Sequence, residues 1–348
     1  MFQHLEPYAG DPILSLNEAY GHDPRPHRIN LSIGIYFDDA GHIPVLDCVH
    51  KAEQQLLAEN AAKPYLPIEG APACRREVQR LLFGPGHEVL KSNRVATLQT
   101  VGSSGGLKFD AMLTALRALP RASIVLLHAC CHNPTGVDLT RRQWDELIPV
   151  LREREVLPYL DLAYQGYGDG IDDDAFAVRA LASAGLSFFV ANSFSKSMSL
   201  YGERAGALSV VCPSAAEAEL ALGQLKATVR RNYSSPPIHA GLVVAKVLTE
   251  PALRAAWEAD VAAMRERILA MRRSLHAVLA AKLPGRNFDY FLTQRGMFSY
   301  TGLTAAQVDR LREDHAVYLV RSGRMCIAGL NSRNVEPTAV AMAAVLAD

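Results

Sequence analysis

The sequence predicts an α/β protein built on a mostly parallel sheet, and three observations carry that prediction. From residue 46 to about residue 212, apolar strand-like runs alternate with segments of helical period, the pattern of βαβ crossovers. Ser123 to Cys131 is apolar on both faces, as an internal strand of such a sheet should be. Four successive strand ends then deliver a Gly/Ser turn, Asn133, Asp161 and Lys196. Ligands of open α/β sheets sit outside the carboxyl ends of the strands.

Composition narrows the class further. Lys+Arg and Asp+Glu balance at 36 each, so no bulk field draws the chain to nucleic acid or to an anionic membrane. No apolar run approaches the ~20 residues of a membrane span, and Met1 to Glu6 carries no basic region or apolar core of a secretion signal. The expected partners are therefore small molecules. Cys48, Cys74, Cys130, Cys131, Cys212 and Cys326 are scattered and mostly lie in apolar runs. Adjacent Cys130 and Cys131, followed by His132, lack zinc-finger spacing. Reduced core thiols, no metal and a cytoplasmic location are the expectation.

Residues 1–13 read as an extended arm, because Pro7, Gly10 and Pro12 prevent a long helix. Ile13 to Tyr20 is a short amphipathic pattern. Ile29 to Tyr36 reads as a strand, and Gly34 near its end either lets a ligand approach the backbone or marks a bulge. Leu46 to Leu57 and Cys74 to Phe83 have helical spacing, with the proline-punctuated loop Lys63 to Gly70 between them. Arg94 to Val101 is a strand running into Gly102-Ser103-Ser104-Gly105-Gly106. Backbone N–H groups and the following helix N-terminus make such a turn a candidate anion cradle.

Phe109 to Leu119 is helical. Ser123 to Cys131 empties into the turn His132-Asn133-Pro134-Thr135-Gly136. Trp144 to Arg152 is a helix, and Val156 to Tyr164 is a buried strand carrying Asp161. A buried carboxylate needs a partner; a structural cation, an N-cap or a protonated ring nitrogen of a cofactor each qualify. Residues 214–230 and 251–282 are long helical patterns separated by a loop with Arg230 and Arg231. Ala305 to Glu313 is helical and Ala316 to Val320 a strand. Arg324 stands beside an apolar strand, where carboxylate binding competes with a plain salt bridge.

The densest chemistry lies after the apolar run Leu186 to Ala191, in Asn192-Ser193-Phe194-Ser195-Lys196-Ser197 and Tyr201-Gly202-Glu203-Arg204. A lysine there is placed for Schiff-base chemistry once partly desolvated. Ser193, Ser195 and Arg204 suit a phosphate, since arginine offers a fixed fork of donors. A phosphate beside a Schiff-base lysine points to pyridoxal 5'-phosphate; the alternative is a surface lysine following a core strand.

Six stretches together resemble one family: SFSKSMSLYGERAG, HACCHNPTG, YLDLAYQGYG, ATVRRNYSSPP, YLPIEG and GRMCIAGLN. The chain is similar, from Met1 to its last residues, to the class I (fold type I) pyridoxal-phosphate aminotransferases of the aspartate/aromatic branch. That resemblance implies a three-layer α/β/α large domain over 46–263, with the sheet reduced to about five strands, and a smaller α+β domain from 14–45 and 264–348. It implies that Lys196 is the Schiff-base lysine and the proton shuttle, that Asp161 holds the ring nitrogen, and that Asn133 and Tyr164 bind the phenolic oxygen. Ser103, Ser104, Ser193 and Arg204 would hold the phosphate, with Tyr65 entering from the partner subunit. Arg324 and the Gly34 backbone would take the substrate α-carboxylate, and Arg230 of the partner subunit a side-chain carboxylate. It further implies amino-acid and 2-oxo-acid substrates and a homodimer with shared sites.

One departure stands out. Members of that family have a substantial segment between the Gly/Ser turn and the strand at Ser123, contributing a helix, two strands and the aromatic ring that stacks on the cofactor. Here Leu107-Lys108 runs almost directly into the helix at Phe109, and Trp144 and Trp257 lie in other helices. A parallel crossover needs about a dozen residues or more, which Ser104 to Ser123 supplies. The expected cost is that Ser123 to Cys131 becomes a sheet edge. Two functional readings follow: an aminotransferase for aromatic amino acids or aspartate with 2-oxoglutarate, or a cofactor-binding but catalytically impaired remnant.

Overall fold

The computed structural model describes residues 11–100 and 109–347. Its strands, in chain order, are β1 (Ile29–Asn30), β2 (Val95–Thr100), β3 (Ile124–His128), β4 (Leu157–Leu162), β5 (Phe188–Ser193), β6 (Gly206–Val211), β7 (Phe298–Tyr300), β8 (Val317–Tyr318) and β9 (Arg324–Cys326). The chain divides into two compact units. One comprises Met1–His42, Ile268–Thr293 and Met297–Asp348; the other comprises Ile43–Arg267 and Gln294–Gly296.

The Ile43–Arg267 unit is organised by a five-stranded sheet in the order β2-β6-β5-β4-β3. β3, β4 and β5 run parallel, while β6 is antiparallel to both of its neighbours, β5 and β2. The sheet is thus mostly parallel, with one reversed strand. Helices begin and end where local chemistry dictates. Arg141–Glu153 starts on Thr140, whose hydroxyl accepts from the Gln143 N–H while the Gln143 side chain accepts from the Thr140 N–H, a reciprocal cap. Pro72–Phe83 has proline in its first turn and stops at Gly84, which takes a φ of 83°. In the long helix Pro251–Lys282, Leu253, Trp257, Val261 and Met264 are buried at three- and four-residue spacing, forming one core-facing stripe.

β3 pairs on one side only among the described residues, so the strand expected to become an edge is one. In register, Leu126 lies beside Tyr159, Tyr159 beside Phe189 and Phe189 beside Val210, so these side chains share a face. The Tyr159 and Phe189 rings stack with centroids 5.8 Å apart. At the far end of this row Ala218 of helix Ala215–Asn232 covers Ala96 and Val210. At the β3 end Ile124 is 68% and Leu126 42% exposed. An exposed apolar edge is a template for pairing with another chain, and a charge blunts it. Leu126→Lys is therefore expected to lower concentration-dependent light scattering. Equal scattering by both proteins would refute the exposed edge as a source of self-association.

In the other unit β1 pairs in parallel with β8, and β7 antiparallel with β9. The strand expected over Ile29–Tyr36 is only two residues long. Its backbone is diverted after Leu31: the Asn30 side chain accepts from the Ser32 N–H at 3.1 Å, and Arg324 donates to the Ser32 carbonyl at 2.7 Å. With those groups occupied the ladder cannot continue. Among the described residues no helix is long and apolar enough to cross a membrane.

Candidate active site

The carboxyl ends of β3, β4 and β5 carry five of the expected residues: Asn133, Asp161, Tyr164, Ser193 and Lys196. Asp161 lies on β4, between His128 of β3 and Ala191 of β5. It is buried, and its Oδ2 has no hydrogen-bond partner among the described residues. Burial pushes this carboxyl from the ordinary 3.8 up to about 7; the Lys196 charge and the Ala163 N–H pull partly the other way. A buried carboxyl with an idle oxygen is costly for folding alone. It is well matched to a cationic N–H donor that arrives from outside the chain.

Lys196, in the loop after β5, places its Nζ 4.9 Å from the centroid of the Tyr164 ring. The Tyr164 hydroxyl in turn receives Asn133 Nδ2 at 3.4 Å. Tyr164 is buried and Lys196 and Asn133 are half-buried, so the cluster is open enough to admit a ligand. Ser193 at the end of β5 donates to the Ser195 hydroxyl at 3.1 Å and accepts from the Ser195 N–H at 3.2 Å. Lysine, two hydroxyls, an amide, a phenol and a proton-accepting carboxyl are the donor set that pyridoxal 5'-phosphate needs, so the residues fit that group.

Arg204 is exposed and donates to the Tyr201 carbonyl at 3.1 Å. Tyr65 is 95% exposed, and Arg230 is exposed with its guanidinium on the Ser234 hydroxyl. Ser103 and Ser104 lie outside the described residues. Arg324 and Gly34 belong to the other unit. There Arg324 is buried, with its guanidinium carbon 4.6 Å from the Phe298 ring centroid. A Cβ on Gly34 would meet Phe298 Cζ at 2.9 Å, so only glycine lets the backbone run this close to the ring.

Two residues of the site were not singled out from the sequence. Tyr167 donates its hydroxyl to the Lys196 carbonyl, and Trp257 donates Nε1–H to the Ser197 carbonyl. The faint signal for Trp257 was its place on the apolar stripe of a long helix. Tyr167 sits in the YQGYG run and had no signal of its own.

A family model described as aminotransferase class I and II matches residues 26–109 and 103–342. The aromatic-amino-acid aminotransferase of Escherichia coli (strain K12) is 52% identical, covering 99% of this chain and 100% of that protein. An aromatic amino acid aminotransferase from Psychrobacter sp. B6, cocrystallised with aspartic acid, superposes with a TM-score of 0.97 at 46% identity, covering 100% of both chains. One from Burkholderia pseudomallei, covalently bound to pyridoxal phosphate, superposes with a TM-score of 0.96 at 43% identity, covering 99% of each. The E. coli alignment runs over 397 positions, more than the 348 residues present here, so that relative carries residues without a counterpart in this chain. The two matched segments meet at residues 103–109, which puts the gap just before helix Phe109–Ala118. The correspondence with aminotransferases over nearly the whole length gives no support to the impaired remnant.

Proposed function

The chain belongs to the class I and II aminotransferase family, and we propose that it moves an amino group from tyrosine, phenylalanine or aspartate to 2-oxoglutarate. Its cofactor is pyridoxal 5'-phosphate, which supplies an aldehyde that condenses with amines and a ring that accepts electrons as the α-proton leaves. The buried Asp161 Oδ2, without a hydrogen-bond partner among the described residues, beside the cluster of Lys196, Tyr164 and Asn133 is the observation that carries this reading.

The chain's own residues divide the work. Asp161 accepts the ring N–H and, as an anion, keeps that proton in place. Asn133 Nδ2 and the Tyr164 hydroxyl orient the phenolic oxygen. Ser103, Ser104, Ser193 and Arg204 hold the phosphate, with Tyr65 of the partner subunit. Lys196 Nζ would anchor the cofactor through its aldehyde, and as a free amine it would take the substrate α-proton as base and carry it to the cofactor side as acid. Arg324, whose guanidinium lies over the Phe298 ring, takes the substrate α-carboxylate beside the Gly34 backbone. Arg230 of the partner subunit takes a side-chain carboxylate. Shared sites of this kind make the chain a homodimer, and the high exposure of Tyr65 supports that reading. A cytoplasmic location accords with six buried cysteines, none in a disulfide.

Turnover of tyrosine, phenylalanine and aspartate with 2-oxoglutarate tests the proposal, and all three are expected to be donors. In the first half-reaction Arg230→Ala is expected to raise KM for aspartate by about 10- to 100-fold, the loss of one charge-assisted contact. It should leave tyrosine and phenylalanine within a few-fold. An equal loss for aspartate and phenylalanine would remove Arg230 from side-chain recognition.

A further inference from the structure

The loop that carries Lys196 is not helical. Ser195 to Met198 form turns, and Ser199 takes a left-handed φ of 56°. Carbonyls that no helix or sheet ladder pairs must find N–H or O–H donors within the loop or outside it. The Lys196 carbonyl accepts from the Ser199 N–H at 3.0 Å and from the Tyr167 hydroxyl at 3.0 Å. The next carbonyl, of Ser197, accepts Trp257 Nε1–H at 2.7 Å. Tyr167 and Trp257 are each 1% exposed, so packing locks both rings. The Tyr167 hydroxyl also lies 3.4 Å from Met264 Sδ, on the same face of the same helix as Trp257. One helix therefore braces both donors.

We propose that Tyr167 and Trp257 are positioning residues that clamp two consecutive carbonyls and thereby aim the Lys196 amine; the proposal rests on Lys196 being the lysine that anchors the cofactor and moves the α-proton. The physical reason is leverage. The amine stands at the end of four methylenes, so a small tilt of the Lys196 backbone becomes a large displacement of Nζ. Misplacement of a reacting group by about 1 Å can cost 10²-fold in rate. Neither ring touches the α-carbon chemistry; both act through the backbone of Lys196 and Ser197.

Tyr167→Phe removes one hydroxyl and keeps the ring, and Trp257→Phe removes the indole N–H. In the holoenzyme each is expected to lower kcat about three- to tenfold, the worth of one hydrogen bond, with KM for phenylalanine nearly unchanged. In the cofactor-free protein, acylation of Lys196 by acetic anhydride, followed by peptide mass analysis across pH, is expected to change at least about twofold in rate. A purely structural role would lower the folded fraction and leave the reactivity of the folded lysine alone. Wild-type kcat and wild-type Lys196 reactivity in both variants would overturn the clamp. The underlying reading fails separately: borohydride would then fix the cofactor to a lysine other than 196. Fixation on Lys196 with silent variants rejects only the clamp.

Discussion

Lys196→Ala is expected to abolish turnover, with a loss of at least about 10³-fold, and to leave the fold intact. The magnitude follows from what the amine does. General acid–base catalysis by one positioned group contributes about 10²- to 10⁴-fold, and covalent anchoring adds to it. The fold should survive because Lys196 is only half-buried and lies in a loop rather than in the sheet. Its approach to the Tyr164 ring, at 4.9 Å, is not a core contact. Truncation leaves room where the side chain stood, so added methylamine should restore part of the proton transfer. The measurements are kcat with phenylalanine and 2-oxoglutarate, and the thermal midpoint as a control. Turnover within tenfold of wild type at an unchanged midpoint would assign the chemistry to another base.

Asp161→Asn is expected to cost at least about 10²-fold in kcat, the scale seen when one preorganised electrostatic partner is removed. It should also change stability in a way that depends on pH. Burial raises the Asp161 carboxyl from 3.8 to about 7, so the folded cofactor-free protein binds this proton more tightly than the unfolded chain does. Below about pH 4 both states hold the proton and no penalty arises. As pH rises toward 7 the unfolded chain gives it up first, and stability falls. Above about pH 7 the penalty is complete, on the order of 4 kcal/mol. The amide of the variant cannot ionise and escapes that fall. The thermal midpoint of the cofactor-free variant should therefore gain on the wild type as pH rises from 4 to 7. Cofactor addition should reverse the ranking, because the ring N–H then pairs with the wild-type anion. Parallel midpoint curves over that range would contradict a desolvated carboxyl.

Much of the sheet was legible because its strands are apolar on both faces and end in residues with no business in a core. Asp161 is the clearest case, a lone carboxyl inside Leu160 and Leu162. The edge position of β3 was legible from the short connection before it. β6 was not singled out, because its run Gly206–Val211 follows at once on the Arg204 loop and reads as its continuation. The helix Ile238–Thr249 was hidden behind Ser234-Ser235-Pro236-Pro237, which reads as loop. The shortened β1 depends on Arg324 reaching Ser32, a contact between residues 292 apart. The Tyr167 and Trp257 bonds to the lysine loop are likewise long-range, and local pattern carries no trace of them.

This chain, with its two family segments joined at residues 103–109, is expected to transaminate through Lys196, and a single-turnover experiment decides it. Purified holoenzyme is mixed with phenylalanine and no 2-oxo acid, and the released phenylpyruvate is counted against the cofactor present. One equivalent per cofactor, with matching loss of the Schiff-base absorbance and none of either in Lys196→Ala, is the predicted result. Bound cofactor whose absorbance stays unchanged, with no phenylpyruvate released, would contradict it.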